Sequence, residues 1–196
     1  MKRLLLTSCL SLPVLAASVQ PGPEPAYPLD QVPAGLAGGV EAAQSAADAL
    51  QRRLLARLSE ELRRGGPIQA VAVCRDEAQA LTRETASGTG LRIGRTSHLL
   101  RNSRNAAPSW ATRFVADAAG KKASALAPLV VDLGDRVGLL RPIPHGVTCG
   151  QCHGPVDQLS APLRDFLKAA YPDDRALGFR EGDLRGFIWV EADLRK

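Results

Sequence analysis

One short run of residues constrains this chain more than any other, Cys149-Gly150-Gln151-Cys152-His153. A Cys-x-x-Cys-His run is the attachment signature of c-type haem. Two thiols three residues apart can each form a thioether with one vinyl group of the porphyrin, and the histidine that follows can bind the iron. The run therefore predicts a single covalent haem c, attached through Cys149 and Cys152 and ligated by His153.

Two other kinds of site also use a Cys-x-x-Cys pair. A thioredoxin-like redox pair needs a strand-to-helix setting, whereas this pair follows Pro142, Pro144 and Gly146. Half of a zinc site would need a second Cys-x-x-Cys pair or a histidine cluster to complete the tetrahedron. Because the sequence offers neither setting, we favour haem attachment.

Residues 1–18 have the pattern of a cleaved signal peptide. Lys2 and Arg3 precede a mostly apolar run that ends in small residues. The run is too short, and too interrupted by Pro13, to span a bilayer. The residues around Cys9 resemble a lipoprotein box only loosely, so lipidation is not expected. We expect a periplasmic protein, in an oxidising compartment where bacterial c-type haem is attached.

The remainder divides into a linker and one domain. Residues 19–39 are rich in Pro, Gly and Ala, so we expect an extended, mobile linker without helix. Residues 40–196 are long enough to form one domain with its own hydrophobic core. No segment after the signal is long and apolar enough to predict stable membrane insertion.

Hydrophobic periodicity predicts an α+β fold. Apolar residues at three- and four-residue steps predict a long N-terminal helix over 40–64, and Gly65-Gly66-Pro67 ends it. A second helix over 68–85 has Cys74 on its inward stripe. Shorter helices are predicted after Pro108 and after Ser160. The predicted strands are 91–97, 129–133, 136–140 and 186–190, and the turns between them favour an antiparallel sheet.

Composition narrows the class of partner. The formal net charge is +5, but the basic residues are mostly arginines spread among acidic ones, and aromatics make up only 4%. These features argue against nucleic-acid binding. No phosphate loop, Ser/His/Asp set or full calcium loop is present. The expected partner is an unidentified redox or signalling protein, and nothing in the sequence indicates an oligomeric state.

Three side chains are candidates for the second axial ligand of the iron. The only methionine is Met1, which leaves with the signal peptide, so His/Met ligation is excluded. The strong donors that remain are Cys74, His98 and His145. His145 is close to Cys149 in sequence, so the opposite face of the iron is hard for it to reach. We favour Cys74, with His98 as its rival and an open or water-bound iron as the third possibility.

Several sequence pieces, in order from about 40 to 190, resemble a family of small haem-c-binding, PAS-like domains. The family occurs alone in the periplasm and as the sensor module of bacterial membrane kinases and chemoreceptors. The matching pieces are Ala72-Val73-Cys74, Gly94-Arg95-Thr96-Ser97, Arg101-Asn102 with Asn105, Trp110, Arg141-Pro142-Ile143, residues 149–154, residues 171–179 and residues 181–186. Ser103, the position of Pro108, and Ala111 depart from the family pattern.

This resemblance implies a PAS-like antiparallel sheet with flanking helices. It also implies an iron ligated by His153 and by the cysteine at position 74. We further consider Arg95, Arg101 and Arg104 as candidates for pairing with the haem propionates, although arginines of this kind can also be solvated surface residues.

Three functions are compatible with the sequence. The first is a sensor in which the iron responds to redox state or to a diatomic gas. The second is a one-haem electron carrier, and the third is an enzyme that uses an open iron site. We favour the sensor and regard an enzyme as the least expected. Since no kinase or cyclase segment follows the domain in this sequence, a sensor would need a separate partner.

Overall fold

The computed structural model describes residues 24–194 of the 196-residue chain. The predicted signal peptide therefore lies outside the described residues. Within 24–194 the helices are α1 (Ala37–Asp76), α2 (Ala78–Ala86), α3 (Ser109–Asp117), α4 (Gly150–His153) and α5 (Ala161–Ala170). The strands are β1 (Ala26–Pro28), β2 (Arg92–Thr96), β3 (Leu129–Asp132), β4 (Arg136–Pro144) and β5 (Leu184–Asp193).

The strands form one antiparallel sheet in the order β1-β3-β4-β5-β2. β3 and β4 form the predicted hairpin. Asp132 Oδ1 accepts a hydrogen bond from the Gly134 amide at 2.8 Å, and Gly134 has a φ of 83° that favours glycine in this turn. The predicted α+β class, with a PAS-like antiparallel sheet, flanking helices and a long N-terminal helix, is confirmed.

Helices cover both faces of the sheet. On one face, Val40, Ala47 and Leu50 of α1 pack against apolar residues of the strands that include Leu139 and Val190. On the opposite face, α3 packs through its own cluster of buried residues, namely Trp110, Ala111 and Val115 with Val131, Leu140, Leu184 and Phe187. Because successive side chains of a strand point to opposite faces of the sheet, the strands supply apolar groups to both helical layers.

The first helix is kinked where the sequence predicts a break. Gly66 has φ 70° and ψ −165°, outside helical space, and Pro67 follows it without an amide proton. A further break at Glu77 separates α1 from α2, so the predicted helix over 68–85 is divided in two. Cys74 therefore lies on a short helical segment, 67–76, which is bounded by Gly66 and Glu77.

An arginine links the two sides of this kink. Arg57, before the kink, donates from Nε and Nη2 to the two carboxylate oxygens of Glu77, at 2.7 and 2.9 Å. Arg57 also pairs with the buried carboxylate of Glu61. These contacts fix the far end of segment 67–76 to the first part of α1.

The expectation of a plain linker over 19–39 is wrong for its described part. Strand β1 pairs with β3 in register, Tyr27 opposite Val130, and Leu36 is buried in the main core. Helix α1 begins at Ala37. The prolines that exclude a helix are compatible with a short edge strand, and apolar Tyr27, Leu29 and Val32 pack against the core cluster.

We predict that Gly186→Ala strongly destabilises the fold. A Cβ at this position would lie 2.2 Å from the backbone oxygen of Thr96, so β2 and β5 would have to separate. Overpacking of this kind costs about 3 kcal/mol. Thermal unfolding would measure the loss. Gly146→Ala is the matched control because nothing lies within 4 Å of its Cβ. Equal melting temperatures for the two variants would contradict this account of the strand contact.

Candidate functional site

The Cys-x-x-Cys-His run forms a single helical turn, α4, immediately after a 3-10 turn at Val147–Cys149. Residues three apart on a helix share one face, so Cys149 and Cys152 are side by side. The turn closes with a hydrogen bond from the Gly154 amide to the Gly150 oxygen at 3.0 Å, and a Cβ at position 154 would lie 2.6 Å from that oxygen. Only glycine lets the chain leave the turn along this path.

His153 is held as a neutral imidazole whose Nε2 is unprotonated. Its Nδ1 lies 2.7 Å from the Ala176 oxygen, and its Nε2 lies 3.5 Å from Nη2 of Arg185. Because carbonyls only accept and guanidinium groups only donate, Nδ1 carries the proton and the Nε2 lone pair accepts from Arg185 over this long distance. Burial, with the charges of Arg185 and Arg101, lowers the pKa of His153 well below its usual value. The ring is therefore ready to bind a metal through Nε2.

Segment 67–76 of α1 lies against the motif. The Sγ of Cys152 is 3.9 Å from the Pro67 oxygen. Cys152 also packs against a third apolar cluster, which joins α1 to α5 through Val71, Leu163 and Tyr171. Burial raises the pKa of Cys152 to about 11.

The structure brings Cys74 into this region, as expected for an inward-facing residue. Burial raises the pKa of its thiol, while the nearby charges of Arg95, Arg101 and Arg185 oppose that shift. Cys149 also acts on its pKa. Residues far apart in sequence therefore share one electrostatic environment.

These side chains share one partly buried region. Cys74, Arg95, Cys152, His153 and Arg185 are all partly exposed, and burial is the leading cause of the pKa shift in each of them. The charges of Arg95, Arg101 and Arg185 act on the pKa of Cys74, and those of Arg185 and Arg101 act on the pKa of His153. The candidate cofactor ligands and these arginines are therefore neighbours in the fold.

The three arginines predicted to pair with propionates lie in different settings. Arg95 is partly buried on β2, and its Nε has no hydrogen-bond partner. Arg101 is buried and bonded to Asp174 at 2.9 Å and to the Cys152 oxygen at 2.6 Å. Arg104 is exposed, and its side chain makes no hydrogen bond or ion pair within the described chain. The structure brings Arg101 to the motif and Arg95 near Cys74 and Arg185, but Arg104 to neither.

Arg185 is a site residue that the sequence reasoning did not single out. Burial, followed by repulsion from Arg101 and Arg95, lowers its pKa to about 10. Within residues 24–194, neither Arg95 nor Arg185 forms an ion pair with a carboxylate. Cations that are largely removed from solvent are costly without a counter-charge, so this partly buried region is suited to an anionic group. Arg185 could have been singled out from the sequence because it lies in residues 181–186, one of the segments that resemble the family.

Phe179 is the second residue that the sequence reasoning missed. Its ring contacts those of His145, stacked at 5.7 Å, of His98, edge-on at 5.9 Å, and of His153, edge-on at 6.4 Å. Arg185 lies over the same ring at 5.2 Å. His98 and His145 are therefore neighbours of His153 through Phe179, while no described contact joins either of them to Cys74.

The described residues support neither a metal-ion site formed by side chains nor a membrane-spanning helix. In 24–194, no three His, Cys, Asp or Glu side chains are grouped as a metal-ion site would require. None of the helices in that range has the length and apolar character needed to cross a bilayer.

A family comparison identifies the chain. The sequence profile of the Tll0287-like family matches residues 37–192, which include α1, strands β2 to β4, nearly all of β5 and the whole motif. The chain belongs to the Tll0287-like family. The family membership predicted from the ordered sequence pieces is thereby confirmed.

One solved structure shares the Tll0287-like fold, that of the cyanobacterial haem protein Tll0287. The TM-score is 0.59 at 24% sequence identity, over 78% of this chain and 92% of that one. At this identity the likeness concerns the fold. A search among curated proteins finds no match.

Proposed function

We propose that this Tll0287-like protein is a periplasmic haem c protein that senses redox state or a diatomic gas. The observation that carries the proposal is that Cys149, Cys152 and His153 follow one another through a 3-10 turn and the short helix α4, and that Cys74, far away in sequence, lies near enough for Cys149 to act on its pKa. The likeness of the fold to a solved haem protein supports it. Periplasmic location is proposed from the sequence of residues 1–18, and covalent attachment from the motif itself.

The residues fit a haem in three respects. Cys149 and Cys152 present two thiols on one face, and His153 presents a neutral Nε2. Arg95 and Arg185 are two partly buried cations that form no ion pair with a carboxylate of residues 24–194, which suits the two propionates of one haem. Arg185, now beside the His153 nitrogen, would turn to a propionate when that nitrogen binds iron.

Cys74 is the proposed second axial ligand. In the protein alone, burial raises the pKa of its thiol, so the thiol is protonated at neutral pH. A bound haem would supply an iron that changes its charge by one electron, and the more positive ferric state favours a thiolate neighbour. Cys74 would therefore hold oxidised iron as a thiolate, and would hold reduced iron less strongly because its thiol is then more readily protonated.

The position of Cys74 allows its release to act as a signal. It lies on segment 67–76, which is bounded by the kink at Gly66 and the break at Glu77, and Arg57 links the end of this segment to the part of α1 before the kink. A shift of Cys74 would therefore reach that part of α1 through this ion pair. The recipient is proposed to be a redox or signalling protein.

One observation favours electron transfer as the second candidate. Val147 and Val156, on either side of the motif, are exposed apolar side chains, with relative exposures of 74% and 48%. Apolar surface beside a haem edge suits brief docking of a redox partner. In that case the iron would pass electrons without a change in Cys74.

Hydrogen exchange of the haem-loaded protein in its two redox states tests the proposal. For a sensor, we expect reduction to increase exchange in segment 67–76 and in residues 147–154, because a ligand is released. Strands β3 and β4 serve as the internal control and should not change. Identical exchange in both states at every position would contradict sensing and favour the electron carrier. Protein purified without any haem would contradict both candidates.

A further inference from the structure

We propose that Arg101 and Asp174 are positioning residues, which fix the ring of His153 and set the strength of its bond to iron. They act through the main chain of Ala176 and do not touch the iron themselves. The inference rests on the proposed function, in which His153 is an iron ligand. It assigns to Arg101 a role other than propionate pairing.

Arg101 joins the motif to the segment after α5. Its side chain and that of Asp174 are both 7% exposed, and Nε donates to Asp174 Oδ2 at 2.9 Å. From Nη2 it reaches the Cys152 oxygen at 2.6 Å and the Ala176 oxygen at 3.3 Å. One guanidinium therefore contacts the residue before His153 and the carbonyl that His153 uses.

Asp174 completes the arrangement from the other side. Its second oxygen, Oδ1, accepts the amide proton of Ala176 at 2.8 Å. The backbone of Ala176 is thus held at its amide by Asp174 and at its carbonyl by Arg101. A hydrogen bond from the Arg175 amide to the Leu100 oxygen, at 2.9 Å, fixes the segment next to Arg101.

The consequence for His153 follows from the shared carbonyl. The Ala176 oxygen accepts both from His153 Nδ1, at 2.7 Å, and from the charged Arg101. The partner of the free ring nitrogen fixes the orientation of a metal-bound histidine and increases its donor strength. A cation on the same carbonyl reduces the electron density available to the ring proton. Arg101 therefore both fixes the plane of the ring and limits its electron donation.

A purely structural ion pair would stabilise the loop without acting on the ring. The two possibilities differ in what happens at His153 when the protein remains folded. A lysine at position 101 keeps the positive charge but lacks the planar fork that reaches Asp174 and two carbonyls together. Arg101→Lys therefore separates the geometry of the contact from its charge.

In the haem-loaded protein, Arg101→Lys is expected to speed exchange of the His153 Nδ1 proton about tenfold, which corresponds to about 1.4 kcal/mol, the order of one hydrogen bond. The low-spin ferric resonance signal should also broaden or split, because the ring plane is no longer fixed. Arg104→Lys is the matched control, since Arg104 is exposed and apart from the motif. Native exchange and a native signal in Arg101→Lys would overturn the proposal, as would an equal change in Arg104→Lys.

Two further measurements test the proposal if Arg101→Lys does not fold. Asp174→Asn keeps the shape of the side chain but can accept only one of the two hydrogen bonds, and the same changes at His153 are expected. In the unaltered protein, the Ala176 amide and the His153 Nδ1 proton should both exchange slowly. Rapid exchange of the two would overturn the proposal without any variant.

The failure of this inference is distinct from failure of the proposed function. If the unaltered protein contains no haem, the proposed function fails. The imidazole nitrogen resonances of the haem-free protein still report whether Nδ1 carries a slowly exchanging proton, and whether Arg101→Lys disturbs it. If haem is bound and Arg101→Lys leaves His153 unchanged, only the positioning role fails.

Discussion

Replacement of both motif cysteines, Cys149→Ala with Cys152→Ala, is expected to abolish covalent haem completely. Each thiol of α4 would form one thioether, so the double variant has no covalent bond to the porphyrin. The unaltered protein, made with a cytochrome c maturation system, should keep its haem through acid–acetone extraction. The double variant should release all of it, or contain none.

Two single variants serve as controls for this result. Cys74→Ser should keep the haem through extraction, because Cys74 is assigned to the iron and not to a vinyl group. A His153→Ala variant should retain thioethers but lose the normal iron spectrum. Extractable haem in the unaltered protein would refute covalent attachment, even if haem binding itself were observed.

Cys74→Ser is expected to remove the thiolate signature from the spectrum of the ferric protein. Loss of a thiolate removes a negative charge and a strong donor from the iron, so the reduction potential should rise by more than about 60 mV, which corresponds to one tenfold change for a one-electron couple. Absorption, electron paramagnetic resonance and a redox titration would measure the change. The substitution is close in size, so thermal unfolding should change little.

The rival histidine provides the matched comparison. His98→Gln removes the ring that lies edge-on to Phe179, and the spectrum should stay low-spin with a native potential. If His98→Gln loses the low-spin signal and Cys74→Ser does not, then His98 is the ligand and Cys74 is a packing residue.

The features that the sequence predicts well are those encoded by neighbouring residues. The motif needs only its own spacing, and the break at Gly66 needs only a glycine followed by Pro67. The β3–β4 hairpin turn at Gly134 is equally local. In each case, backbone preferences within a few residues decide the conformation.

The features that the sequence did not predict depend on contacts between distant segments. Strand β1 exists because β3 offers it an edge, which no property of Ala26 or Tyr27 alone reveals. Arg101 meets Asp174 across 73 positions of the chain. Phe179 and Arg185 become site residues only when β5 and the loop before it are placed beside α4. Sequence patterning cannot assign such roles because it does not contain the distances.

The kink at Gly66 couples rotation of the first part of α1 to displacement of Cys74. In a straight helix, rotation of one end about the long axis only turns the other end in place. Because α1 bends at Gly66, rotation of residues 37–65 instead displaces segment 67–76 sideways, and the Arg57–Glu77 pair keeps the angle between the two parts fixed. Cys74 would then move relative to the motif, so that a small rotation of the first part of α1 becomes a translation of the residue proposed to hold the iron.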